Sequence, residues 1–239
     1  MSQNAIIVGA SSGIGAALAR TLSANGYSLG LAARRTELLD ELSNSLPTHS
    51  FIRQLDISNT EDAMEQFRLM ANELGDIELV IISSGTGREN QELAWTPEEE
   101  TIATNVMGFA AIANAAVELF VRQNSGTLVG ISSIAAIRGN GGAPAYGASK
   151  AFVSNYLASL RHKFAKLRSP VVVLEVQPGF VDTAMAKGEG LFWVATPEKA
   201  AQQIVSAINH RKTHVYVTRR WRLIAWILRL LPNWIYNRM

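Results

Sequence analysis

The sequence predicts an α/β fold, a parallel sheet covered on both faces by helices. Three observations predict it. Short, continuous apolar runs recur along the chain, as expected of strands buried on both faces. Helical stretches separate those runs, the alternation that gives a parallel sheet. The residues able to do chemistry follow the runs directly, where ligands sit in open α/β sheets. At 239 residues, 48% hydrophobic and 18% charged, the chain suits one globular domain with a large core, not a disordered segment. It has no cysteine, which excludes a disulfide framework and thiol catalysis. Its four histidines are scattered, with no acidic companions at ligand spacing, so no metal site is expected. The N-terminus enters an apolar strand at once, so no signal peptide is expected.

The first run is Ala5-Ile6-Ile7-Val8. Gly9-Ala10-Ser11-Ser12-Gly13-Ile14-Gly15 follows it and leads into a helix over 16–25. Strand, glycine turn and helix are the setting that a dinucleotide-binding fingerprint requires. Glycines let backbone approach a pyrophosphate, and the helix N-terminus offers N–H donors and the positive end of a dipole. The second strand, 28–33, ends at Arg34-Arg35. An acidic residue there would bind a ribose 2′-hydroxyl; arginine suits a 2′-phosphate, through a charge-assisted fork. The start of a helix is a poor place for cations, which favours a function for this pair.

Residues 51–55 form the third strand, followed by Asp56-Ile57, with Ser58 or Thr60 capping the next helix. The fourth strand, 77–82, leaves through Ser83-Ser84-Gly85. Thr96-Pro97-Glu98-Glu99-Glu100 starts a helix with a cap, a proline and acids in the first turn, so its acidic run is structural. That helix carries Asn105, a residue type disfavoured in helix interiors. The fifth strand is 127–132. A long helix over 146–168 bears the apolar stripe Phe152, Tyr156, Leu160, Phe164 and Leu167, suited to a core or a subunit interface. The sixth strand, 171–176, exits through Gln177-Pro178-Gly179-Phe180-Val181-Asp182-Thr183. Thr196-Pro197-Glu198 opens a helix to about residue 210, and 213–218 is the seventh strand.

The stretch from Ser133 to Lys150 has the densest chemistry. Ser133 stands at the end of the fifth apolar run, a glycine-rich loop follows, and Tyr146 and Lys150 are spaced i, i+4. On a helix that spacing puts both on one face. A phenol, with a reference pKa of about 10, transfers protons poorly at neutral pH. An ammonium beside it favours the phenolate and brings that value down toward the working range. Ser133 adds a hydroxyl able to polarise a carbonyl oxygen. A Tyr/Lys pair alone is a common feature of a solvated helix face. The glycine turn at the other end of the chain's first half gives this one weight.

Gly9-x-x-x-Gly13-x-Gly15, Asn105, Ser133, Tyr146-x-x-x-Lys150 and Pro178-Gly179 arrive in the order and spacing of the short-chain dehydrogenase/reductase family. The chain resembles that family over about residues 4–218. The resemblance implies a single doubly wound Rossmann-type domain whose seven strands run in the order 3-2-1-4-5-6-7. It implies Tyr146 as acid/base and Lys150 as the group that lowers its pKa and binds the nicotinamide ribose. Ser133 matches the family serine, and Asn105 would hold a water in a proton relay to Lys150. The cofactor, NADP(H), would meet Gly9, Ser11, Ser12, Gly13, Ile14, Gly15, Arg34, Arg35, Asp56, Ile57 and Gly85. It would also meet Tyr146, Lys150, Pro178, Gly179, Val181 and Thr183. The family's Asn-Asn-Ala-Gly is Ile82-Ser83-Ser84-Gly85 here, which keeps the glycine and loses a stabilising asparagine. The segment between Thr183 and Pro197, with Gly188, Gly190, Phe192 and Trp193, resembles a substrate lid, and its aromatics suit an apolar substrate portion.

The expected activity is NADPH-dependent, reversible reduction of a carbonyl to an alcohol. The alternatives are a membrane-surface reductase of a lipid-like substrate and a non-catalytic NADPH-binding protein. The expected partners are a small carbonyl or alcohol and further copies of the chain, as a homodimer or homotetramer in the cytoplasm; no nucleic acid is expected. Domain organisation is read as 1–218 with the catalytic site, then a tail over 219–239. From His210 to Met239 there are seven Lys/Arg and no Asp/Glu, while the rest carries 15 basic against 20 acidic residues. Such asymmetry suggests an anionic partner for the tail. Its apolar stretch of about 13 residues, with Arg222, Trp226 and Arg229 on one face, is too short to span a bilayer, which needs about 20. It suits a membrane surface, a cover over the substrate cleft or a subunit contact.

Overall fold

The computed structural model describes residues 3–185 and 192–238. Seven parallel strands form one sheet: β1 (Asn4–Val8), β2 (Ser28–Ala33), β3 (Ser50–Gln54), β4 (Leu79–Ile82), β5 (Thr127–Ile131), β6 (Val172–Pro178) and β7 (His214–Val217). Their spatial order is β3-β2-β1-β4-β5-β6-β7, the order that the resemblance implied. The fourth and seventh strands are shorter than the apolar runs that mark them.

Strand alternation divides the core in two. On one face Ile6 and Val8 of β1 meet α3 (Thr60–Leu74), α5 (Phe109–Gln123) and α6 (Pro144–Lys166). On the other Ala5 and Ile7 meet α1 (Gly13–Ala24), α2 (Thr36–Asn44) and α7 (Pro197–Asn209). Ile6, Ile7, Leu29, Leu31, Val80 and Ile81 are completely buried. Each such side chain stabilises the fold by about 1.5–3 kcal/mol. That is why these strands read as continuous apolar runs and not as alternating ones.

The chain crosses from one side of β1 to the other between β3 and β4. Val8 is paired with Ala32 of β2 and Ile82 of β4, so their exit loops open side by side at the carboxyl edge. This is the switch point where ligands bind in such sheets.

Helix starts differ in detail from the sequence reading. α4 (Trp95–Ile102) begins before Thr96, with Ala94 at its cap position. Asn90 holds that start, accepting from the Ala94 N–H and donating to Glu98. Glu98 also accepts from the N–H of Ala145, so the acidic run is structural, as expected, and supports α6 beside Tyr146. Asn59, not Ser58 or Thr60, occupies the cap position of α3, without a side-chain capping bond. Thr196 caps α7 as expected, accepting from the Lys199 N–H at 3.2 Å. Along α6, Phe152, Tyr156 and Leu160 pack on the core and Phe164 is buried, while Leu167 lies past the helix end and is exposed. The long apolar stretch Trp95–Gln123 has the length and hydropathy of a membrane span, but more than half of its apolar window is buried in this core.

The tail folds as α8 (Trp221–Leu230) and α9 (Asn233–Tyr236). Trp221 and Ala225 are buried. Trp221 stacks on Phe192 and meets Phe180 edge-on, so α8 packs on aromatic residues of the β6 exit loop and of the segment before α7.

Candidate active site

The glycine turn after β1 is shaped for close backbone approach. Gly9 has φ +94, and a Cβ there would lie 2.4 Å from the Ser84 backbone nitrogen. Only glycine tolerates both the conformation and the contact. A Cβ on Gly15 would strike the Gly9 carbonyl, which lets α1 start directly against the turn. Ile14 anchors that start in the core. No acid occupies the first turn of α1, leaving its N–H donors free for an anion.

Arg35 leaves β2 and reaches back over this turn. Its guanidinium donates to the hydroxyls of Ser11 and Ser12, both at 3.1 Å. Arg34 and Arg35 are exposed and no carboxylate pairs with either among the described residues. Asp56 accepts from the Ser58 N–H and hydroxyl, while Ile57 is buried with its carbonyl against Gly108. Across the cleft, Thr183 comes so near the turn that a Cβ on Gly13 would touch its methyl at 3.0 Å. Pro178 ends β6, the Gly179 N–H bonds to Val217, and Val181 is buried against Ala195. The cofactor residues expected from the sequence all follow strand ends, on the carboxyl edge of the sheet. Its donors, arginines and bare glycine backbone fit a dinucleotide. Gly188 and Gly190 lie outside the described residues.

Ser133, Tyr146, Lys150 and Asn105 converge at the centre of this edge. Ser133 ends the β5 segment and accepts from the Ala135 N–H, which fixes its hydroxyl. Ser132 faces away and bonds to Ser154 and the Lys150 carbonyl, so the two serines have different tasks. The Lys150 side chain is buried and donates to the Ile131 carbonyl at 3.0 Å. Its nitrogen lies 5.8 Å from the centre of the Tyr146 ring. Burial lowers the Lys150 pKa to about 8.

One expectation is corrected. Tyr146 was expected to have its pKa pulled down by Lys150. Burial instead pushes it up from the ordinary value, opposed by the hydrogen bond from Ser133. Desolvation of the phenolate is the largest effect, and the Lys150 ammonium donates to the Ile131 carbonyl. In this arrangement Tyr146 is a neutral phenol, a proton donor.

Asn105 does not sit in an ordinary α-helix. It lies in a π-helical turn, Ala103–Gly108, between α4 and α5. Wide turns of this kind recur at functional sites. The Asn105 amide donates to Thr86 O at 2.7 Å and Ser149 at 3.0 Å, and accepts from Thr86 N at 2.8 Å. It thus supplies from the helix the support that the Ser83-Ser84 segment lacks; Ser83 and Ser84 also donate to the Val8 carbonyl. Both amide protons are committed to protein groups, which holds the Thr86 backbone and Ser149 in place.

Two participants escaped the sequence reading. A Cβ on Gly87 would lie 2.4 Å from the Tyr146 ring, so that loop packs directly against the phenol. Trp221 occupies the space beside Gly179, where a Cβ would fall 1.9 Å from its ring. Neither contact has a local signal; the Pro-Gly spacing hints at close approach without naming the neighbour. A Cβ on Gly85 would lie 3.2 Å from the Lys150 nitrogen, so this glycine stands at the same centre.

The family model for short chain dehydrogenases matches residues 3–191. An uncharacterized oxidoreductase of Mycobacterium tuberculosis is 33% identical over 247 residues, covering 99% of this chain and 96% of the relative. A short-chain dehydrogenase/reductase of Burkholderia phymatum, solved with NAD, superposes with a TM-score of 0.85 at 19% identity, over 95% of this chain and 92% of that one. A short-chain dehydrogenase of Sphingobium yanoikuyae, solved with NADPH, gives 0.82 at 23% identity, over 93% and 92%. With this glycine turn, this Ser-Tyr-Lys centre and these matches, the chain belongs to the short-chain dehydrogenase/reductase family, NAD(P)-dependent oxidoreductases.

Proposed function

We propose that the protein is an NADPH-dependent carbonyl reductase, reversible as an alcohol dehydrogenase, acting on a small molecule with an apolar portion. The observation that carries this reading is the meeting of Ser133 and Tyr146 beside a buried Lys150, where burial keeps the phenol protonated. The reduced nicotinamide supplies the hydride when bound. Ser133 donates a hydrogen bond to the substrate's carbonyl oxygen. As negative charge grows on that oxygen, Tyr146 gives it the phenolic proton. Lys150 stabilises the phenolate left behind, and its pKa of about 8 lets it return a proton near neutral pH. The intact set distinguishes this reading from a non-catalytic nucleotide binder, which has no use for such a proton path.

NADPH preference is supported by Arg35 on the glycine turn, where a 2′-phosphate would meet a guanidinium, with the exposed Arg34 next to it in the chain. An apolar substrate portion is supported by Phe180, Phe192, Trp193 and Trp221, whose rings gather above the β6 exit. We place the enzyme in the cytoplasm as a homodimer or homotetramer, the part-buried Phe152 and Tyr156 on α6 supplying apolar surface. The reaction is tested by NADPH oxidation over a panel of apolar aldehydes and ketones. Turnover with NADPH well above that with NADH supports the reading; tight NADPH binding with no turnover across the panel contradicts it. Sedimentation velocity tests the assembly, and a monomer at micromolar concentration contradicts it.

A further inference from the structure

One face of α8 covers the fold and the other is left bare. Leu223, Trp226, Ile227 and Leu230 repeat at i, i+3, i+4 and i+7 on the outer side. They are 56–81% exposed, and Trp234 of α9 is 65% exposed. Apolar residues at this spacing normally face a core. Here that need is already met by Trp221 and Ala225 on the opposite side.

The face is also held in place. The Arg138 guanidinium, from the loop after Ser133, donates to the carbonyls of Leu228 and Leu231 and to Asn233, closing the C-terminal end of α8. Tyr236 donates to Gly139 at 2.6 Å. A helix fixed at its start by Trp221 and at its end by Arg138 presents its outer row as a fixed surface.

Charge decides what fits that surface. No Asp or Glu follows Glu198, and Arg219, Arg220, Arg222, Arg229 and Arg238 flank the apolar row. Arg222 lies over Trp226 and Arg238 over Trp234, at 5.9 and 5.8 Å from the ring centres. Beside the start of α8 a hollow of about 180 Å³ is lined by Lys199, Arg219 and Arg220, with no carboxylate in its wall among the described residues. In a two-fold pairing of copies, the same patch meets itself, so these arginines would face arginines. Against anionic lipid they meet phosphate, while tryptophans take the boundary between headgroup and acyl chain. At ten residues, about 15 Å, α8 is too short to cross a bilayer.

We propose that α8 and Trp234 dock the enzyme on an anionic lipid surface, lying in the interface with Leu223, Trp226, Ile227 and Leu230 facing the acyl chains. This reading does not depend on the reaction. Docking through this helix places the aromatic roof of the cleft next to the lipid, since Trp221 belongs to the same helix.

The test is sedimentation of the full chain with phosphatidylglycerol-containing vesicles and with neutral phosphatidylcholine vesicles. The comparison variant is Leu223→Gln/Trp226→Gln/Leu230→Gln. All three positions are exposed, and circular dichroism with thermal melting checks that the variant folds. The expected result is binding to anionic vesicles with a blue shift of tryptophan emission, at least tenfold weaker binding to neutral vesicles, and loss in 0.5 M salt. The variant should bind anionic vesicles at least tenfold less. No binding of the native chain to anionic vesicles at low salt overturns the proposal, as does equal binding by the variant. A triple variant that changes oligomeric state, with no vesicle binding by the native chain, overturns it in favour of a subunit contact.

Discussion

Arg35→Ala separates the two nicotinamide cofactors. The guanidinium lies 3.1 Å from the hydroxyls of both Ser11 and Ser12, on the rim of the glycine turn. A 2′-phosphate at this corner would exchange those neutral partners for charge-assisted bonds. Hydrogen bonds to charged groups contribute about 1.5–3 kcal/mol each. Losing one such interaction should weaken NADPH binding about 10- to 100-fold. NADH has no group there, so its affinity should stay within about threefold. Arg35 is exposed and forms no ion pair among the described residues, so stability should change by less than about 0.5 kcal/mol. Fluorescence titration of both nucleotides at two salt concentrations measures the effect, and the NADPH preference should shrink as salt rises. Equal weakening of NADPH and NADH would refute the assignment of Arg35 to the 2′-phosphate.

Further perturbations address the centre. Reduction should slow as pH rises through about 8, because Lys150 loses the proton that restores Tyr146; a kcat profile flat from pH 7 to 9.5 contradicts this. The same depressed pKa, down from 10.5, means that the buried ammonium destabilises the fold by ~3 kcal/mol below pH 8. That penalty fades as pH climbs from about 8 toward 10.5. Lys150→Met should therefore abolish turnover yet unfold at higher denaturant than the native protein at pH 7, by about 1–3 kcal/mol, with a smaller gap at pH 9.5. Gly87→Ala drives a methyl into the Tyr146 ring and should lower kcat about 100-fold while the melting temperature stays within a few degrees. Asn105→Ala leaves both backbone groups of Thr86 without their partner and should cost about 2–3 kcal/mol in urea unfolding.

The sheet was legible because its strands are buried on both faces, leaving runs such as Ala5–Val8 that helices cannot mimic at that length. The order of site residues was legible because each follows a strand. Three features were not. The π-helical turn at Asn105 appears in sequence only as an asparagine in an odd place. The close approach of Gly87 to Tyr146 depends on a loop folding across the cleft. Arg138 reaches the α8 carbonyls over 90 residues of chain, so nothing near it announces the contact. The direction of the Tyr146 shift was misread for a related reason. Spacing puts Lys150 on the same helix face, but burial, invisible in the sequence, has the largest effect on the phenol, and the ammonium donates to Ile131.

The central claim is that the Tyr146 hydroxyl supplies the proton in carbonyl reduction. Tyr146→Phe removes that oxygen and keeps the ring against Gly87. Steady-state NADPH oxidation with an accepted carbonyl substrate, beside NADPH titration of the same preparation, tests it. A fall in kcat of about 10²- to 10⁴-fold, with NADPH affinity within about threefold of native, is the predicted result. Turnover within tenfold of the native enzyme, at unchanged NADPH affinity, would contradict the account.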